Sequence, residues 1–170
     1  MSAVIEFSPT TLNVYNPLDS VEDLLIANDW SYERLTNEEL FIKMAGEYAE
    51  YDIVLQWLEP YGALKVCCRM KQQLPDNKVG EAILVSNEIN HDLWTGHFSL
   101  DRNDPYPTFY NTILLKDDSE ECEREALSHF VETTLEQCER YAPVYSWLIK
   151  GGDFDRTVIS LLVMDNAGHA

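Results

Sequence analysis

An α+β domain is the fold the sequence predicts: an antiparallel sheet of about six strands with helices on one face, in the order α-β-β-β-β-α-β-β-α-α. Three observations predict it. Short runs between residues 30 and 71 alternate apolar and polar side chains, and period-2 alternation makes a half-buried strand with one wet face. Longer segments carry apolar residues at i, i+3 and i+4, the spacing of an amphipathic helix. Helices alternate with runs of strands, not with single strands, which separates the chain from doubly wound nucleotide-binding folds.

Residues 1–16 have little periodicity and read as an N-terminal arm, followed by a single domain over 17–165 and a frayed tail at 166–170. The first helix opens at Pro17, with Asp19 as the expected N-cap and Glu22 completing a capping box. Four strands are expected next, over Trp30–Leu35, Glu39–Ala45, Tyr51–Trp57 and Leu64–Lys71. Thr36-Asn37-Glu38, Gly46-Glu47 and Pro60-Tyr61-Gly62 suit the hairpins between them.

A second helix starts at Pro75-Asp76 and ends at Trp94-Thr95-Gly96, with Val79, Ala82, Ile83, Ser86, Ile89, Asn90 and Leu93 on its apolar stripe. Two strands follow, over 96–102 and 108–116, with Asn103, Asp104, Pro105 and Pro107 expected in the turn. Asp118 and Glu121 form another capping box at the head of the longest helix. Pro143 lies inside its pattern, so a kink or interruption is expected around Tyr141–Pro143. Gly151-Gly152 closes it, and Asp153 caps a last helix.

The 170 residues include 12 Lys and Arg against 30 Asp and Glu, a net charge of −18. Phosphate neutralisation needs clustered cations, so nucleic acid is excluded as a partner, and anionic membrane surfaces are disfavoured. The N-terminus has no basic segment before its short apolar run and no apolar stretch is of membrane-spanning length, so a cytoplasmic protein is expected. None of the four cysteines sits in a C-x-x-C pair, so reduced thiols are expected and no zinc ribbon.

Chemistry-bearing motifs are absent. There is no glycine-rich phosphate loop, no G-x-S-x-G and no histidine pair at metal-ligand spacing. No cofactor, metal or catalytic residue is assigned. His97, at the head of a strand, is expected to be partly buried and structural. The strongest charge feature is residues 117–139, with nine acids and one base. They read as the solvated face of a helix, or as a dock for a basic segment. Lys65, Arg69 and Lys71 share one face of the fourth strand, across from Asp52 and Gln56. Aromatic residues recur from Trp94 onward. Trp94, His97, Phe98, Tyr110, Tyr141, Tyr145 and Trp147 are the candidates for a protein-interaction surface, since aromatic side chains dominate binding hot spots.

The layout resembles the YbjN-domain family, described as bacterial sensory transduction regulators. The resemblance rests on Asn16-Pro17-Leu18-Asp19, Tyr51–Trp57, Asn87–Phe98 with its Leu93-Trp94-Thr95-Gly96-His97-Phe98 ending, Phe109–Leu115, and Cys138-Glu139-Arg140-Tyr141-Ala142-Pro143. It spans about residues 16–165. It implies a fold similar to secretion-chaperone-like domains and brings no catalytic residues with it.

Two functions are expected from these readings. The first is a non-enzymatic protein-binding or regulatory module whose partner is another polypeptide, with a homodimer as the first candidate. The alternative is a small-ligand-binding protein or an enzyme whose site joins residues distant in sequence, such as His97 with Asp101 or Glu50.

Overall fold

In the computed structural model, residues 16–115 and 120–166 are described. The elements are α1 (Pro17–Ala27), β1 (Tyr32–Arg34), β2 (Glu39–Ala45), β3 (Glu50–Leu58), β4 (Ala63–Met70), α2 (Asp76–Asp92), β5 (His97–Asp101), β6 (Asp104–Leu114), α3 (Glu120–Ile149) and α4 (Arg156–Asn166), with a short 3-10 turn at Glu59–Tyr61. The strands form one antiparallel sheet in the order β1-β2-β3-β4-β6-β5. Element order, sheet and fold class agree with the expectation from sequence.

The alternation sets which side of the sheet is inside. Leu40 and Ile42, Tyr51, Ile53 and Leu55, Leu64, Val66, Cys68 and Met70, Phe98 and Phe109 are all buried on one face. α1, α2 and α3 cover that face with Leu18, Val21 and Leu25, with Val79, Ala82, Val85 and Ile89, and with Leu127, Phe130, Cys138, Tyr141, Val144, Tyr145 and Leu148. An aromatic knot sits at the β5 end. Phe98 meets Phe109 at 5.0 Å, Tyr141 edge-on at 5.5 Å and Tyr145 at 5.8 Å between ring centroids. The Tyr145 hydroxyl is 2.9 Å from Ser86 Oγ, which itself donates to the Ala82 carbonyl. Truncating Phe98 to alanine would cost about 3–5 kcal/mol, as for other buried aromatics.

Several local expectations need correcting. The N-cap of α1 is Asn16, whose side chain accepts from the Leu18 N–H; Asp19 and Glu22 instead hold the guanidinium of Arg34 at 3.3 and 3.0 Å. An arginine reaching across from β1 outcompetes a local capping box because its bonds are charge-assisted. α4 begins at Arg156, with Asp155 accepting from the Thr157 N–H at 2.7 Å, while Asp153 pairs with Lys78 at 2.9 Å. The capping box at Asp118 lies outside the described residues.

β6 begins at Asp104, not Thr108, so Pro105 and Pro107 lie within a strand. They are tolerated because β4 first pairs with β6 at Thr108, and the β5–β6 register shifts between Ser99 and Asp101, so this stretch is not tied into a full ladder. α3 runs without interruption through Pro143. Tyr141 and Ala142 before the proline, and Val144, Tyr145 and Leu148 after it, are all buried, so the core anchors the helix on both sides.

Long-range polar contacts fasten the helices to the loops. The Glu139 carboxylate of α3 accepts from the backbone N–H groups of Glu47 and Tyr48 at 3.1 and 3.2 Å, clasping the β2–β3 turn. A Cβ on Gly46 would fall 1.6 Å from that carboxylate and 2.6 Å from the Tyr51 ring, so a larger residue there would displace the clasp. Burial, with Glu139 beside it, pushes the Tyr51 phenol well above its ordinary pKa. Lys78 of α2 reaches Glu81 at 2.7 Å, the Gly152 carbonyl at 2.6 Å and Asp153, and so ties the α3–α4 link to α2.

Candidate interaction surface

The residues of the other parity face away from the helices. Strand register lines them up in rows that cross up to five of the six strands, with Glu33 of β1 opposite Phe41 at the end of the central one. The central row is Phe41, Val54, Cys67, Tyr110 and His97, each directly opposite the next on β2, β3, β4, β6 and β5. On one side runs Glu39, Gln56, Lys65 and Thr112. On the other runs Lys43, Asp52, Arg69, Thr108 and Ser99. An apolar and aromatic stripe is thus framed by two polar rows. Phe41, Val54, Cys67 and Tyr110 are half-buried by their neighbours, and His97 is exposed.

Cations hold this face together. Lys43 lies 5.8 Å from the Phe41 ring centroid, Lys65 5.6 Å from that of Tyr110, and Arg69 4.2 Å from that of Tyr106. Arg69 also pairs with Asp104, and Lys71 with Asp52 at 3.9 Å. Gln56 donates to Glu39 at 3.1 Å. Four of the chain's 12 Lys and Arg therefore gather here and balance Glu33, Glu39, Asp52 and Asp104, so this face is near neutral and the remainder of the surface carries the negative charge. Burial raises the pKa of the Cys67 thiol and of the Tyr110 phenol, which touch across the β4–β6 ladder, so both stay neutral near physiological pH.

The seven sequence candidates divide. His97 and Tyr110 stack on this face, 5.5 Å apart with planes at 22°. Trp94 lies just past the end of α2 and is 76% exposed. Phe98, Tyr141 and Tyr145 are core residues on the far side of the sheet. Trp147 lies away from the stripe, packed on Gly152 with its indole N–H 3.4 Å from the Asp153 carbonyl. His97 is more exposed than expected, because it begins an edge strand on the uncovered face. The pairs weighed for catalysis are not assembled. Asp101 lies four residues along β5 from His97, about 13 Å at ~3.3 Å per residue. Glu50 belongs to β3, three strands away. Sequence reading passed over Phe41, Val54 and Cys67. Their parity was visible, but the row they form depends on the β4–β6 register.

A shallow depression of about 570 Å³ opens at the β5 end of the row, between Lys65, Thr95, His97, Ser99, Asn111 and Thr112. Gly96 lines it too, with φ +67°, where a Cβ would fall 2.3 Å from the Phe109 ring. Among the described residues no group of three or more His, Cys, Asp or Glu is placed to hold a metal, and no helix is long and apolar enough to cross a membrane.

Comparison with known proteins bears on the same chain. Residues 17–146 match the family YbjN, described as "Putative bacterial sensory transduction regulator". Among solved structures, the chain is similar to YbjN from E. coli, described as "a putative transcription regulator", with TM-score 0.54 and 14% identity, over 88% of this chain and 91% of that one. At that identity the likeness is one of fold. A search of curated proteins finds no match.

Proposed function

The chain belongs to the YbjN family of sensory transduction regulators, and from that premise we propose that it is a non-catalytic regulatory module that holds another polypeptide on the uncovered face of its sheet. The observation that carries this reading is the cross-sheet row from Phe41 to His97. A half-buried apolar centre with a polar, partly charged rim is the anatomy of a protein interface. It is also where a chain of charge −18 gathers cations, so a partner with acidic groups meets least repulsion there. The first partner to consider is a second copy, because exposed Glu125, Glu132 and Glu136 on α3 offer the complementary charge. Action in the cytoplasm is part of the same reading.

Small-angle scattering over a concentration series tests it. A monomer of this length has a radius of gyration of about 15–16 Å. A dimer of standard interface size buries about 1,600 Å² and exceeds that value clearly. Dimer formation that is lost in Val54→Asp supports the reading. A monomer-sized value at every concentration overturns the second copy as partner. Heterologous capture that is unaffected by Val54→Asp overturns the sheet face itself.

A further inference from the structure

We propose that the depression at the end of the row is a carboxylate-binding site, filled by a single Asp or Glu side chain of the polypeptide laid across the sheet. This rests on the docking face just described and adds the chemistry it reads. Lys65 supplies the charge. Among the described residues no carboxylate lies within ion-pair distance of it, and its ammonium rests only on the Tyr110 ring. Its charge is therefore left for an incoming anion, in a chain where acids outnumber bases 30 to 12. Around it stand the His97 ring and the hydroxyls of Ser99 and Thr112. Asn111, 7% exposed and opposite Val66 in the ladder, borders the depression from the helix-covered side. Its carboxamide oxygen accepts from Thr95 Oγ1 at 3.0 Å and from the Thr112 N–H at 2.9 Å, which fixes Thr95 and Thr112 at the rim.

The donor set selects the anion. One ammonium with neutral hydroxyl donors balances one negative charge. A phosphate dianion calls for arginine forks or several cations, and each further negative charge is opposed by the rest of the molecule. A carboxylate fits. The depression is open and polar, which suits a side chain delivered by a longer segment better than an enclosed free metabolite. Length agrees as well. The row crosses five strands, about 19 Å at ~4.8 Å per strand, which about six extended residues span.

The test uses an eight-residue peptide, acetyl-Ser-Val-Ser-Val-Ser-Phe-Glu-Gly-amide, and its Glu→Gln counterpart, titrated into the full chain and followed by amide NMR shifts at Gly96, His97 and Ser99. The Glu peptide is expected to bind at least about tenfold more tightly than the Gln peptide, a difference of ~1.4 kcal/mol. Lys65→Met is expected to erase that difference. Equal binding of the two peptides, lost in Val54→Asp, overturns the carboxylate site and leaves the docking face standing. Binding of neither peptide overturns the site. Acetate alone binding as tightly as the Glu peptide assigns the site to free carboxylates and overturns the peptide as its occupant.

Discussion

Asn90 of α2 holds the backbone of Phe98 as a neighbouring strand would. The Phe98 N–H donates to Asn90 Oδ1 at 2.6 Å, and Asn90 Nδ2 donates to the Phe98 carbonyl at 2.8 Å. β5 has a strand on one side only, so Phe98 would otherwise present an unpaired donor and acceptor at the sheet edge. One carboxamide closes the edge at this residue, which makes β5 a poorer place to add a strand.

Asn90→Ala is therefore expected to lower unfolding free energy by about 1–3 kcal/mol, because both Phe98 groups lose their partners. Urea unfolding measures this. Asn90→Asp keeps the acceptor and loses the donor, so it should fall between the alanine variant and the native chain. An alanine variant as stable as the native chain would show that water replaces Asn90 at no cost.

The Ser86–Tyr145 pair predicts a non-additive cycle. Ser86→Ala alone strands the fully buried Tyr145 hydroxyl and should cost about 1–3 kcal/mol. Adding Tyr145→Phe removes the stranded group, so the double variant should be more stable than Ser86→Ala alone. Thermal or urea unfolding of the four proteins gives the coupling directly.

Lys78 predicts a pH dependence. Its amine is held above the ordinary lysine value of 10.5 by the Glu81 carboxylate first and then by Asp153. A cation whose folded pKa is raised adds stability that is fully present below the unfolded value and is lost as pH rises through the folded one. Lys78→Met should thus be less stable than the native chain at about pH 8. The gap should shrink as pH climbs past 10.5. Paired melts across that range check it; a gap that persists at the alkaline end would assign the effect to packing of the lysine stem.

Cys67, Cys68 and Cys138 are free thiols. Burial pushes Cys138 well up, with Cys68 beside it, and Cys68 is itself fully buried. Since the thiolate is the reactive form, Cys68 and Cys138 should resist a thiol reagent in the native chain. In urea, without reductant, all four cysteines should react. A count below four would reveal a disulfide.

What could be read from the sequence follows how local each cause is. The alternation in Glu39–Ala45 placed β2 at its true limits, because burial on one face writes period 2 directly into the residues. The caps of α1 and α4 were misplaced because Arg34 and Lys78, distant in sequence, take the carboxylates that local rules assign to capping. Pro105 and Pro107 read as turn residues because nothing local shows that they escape the ladder. Tyr141 and Tyr145 looked like surface aromatics near a proline break, whereas Phe98 draws them into the core. The docking row was hidden for the same reason: Cys67 and Tyr110 are neighbours only through pairing across α2 and β5.

The clasp of Glu139 on the β2–β3 turn has a consequence for synthesis. β2, β3 and β4 are made before any of α3 exists, and their apolar face lacks the α3 part of its cover until Ile149 has been made. The 79 residues from Lys71 to Ile149 take about 4–16 s at ~5–20 residues per second. During that interval Leu40, Ile42, Ile53, Leu55 and Val66 have at most α1 and α2 over them and are partly open to neighbouring nascent chains. The acids of β1–β3 and their flanking turns, Glu33, Glu38, Glu39, Glu47, Glu50, Asp52 and Glu59, are already present, and their mutual repulsion between chains guards the unfinished sheet until the last long helix arrives.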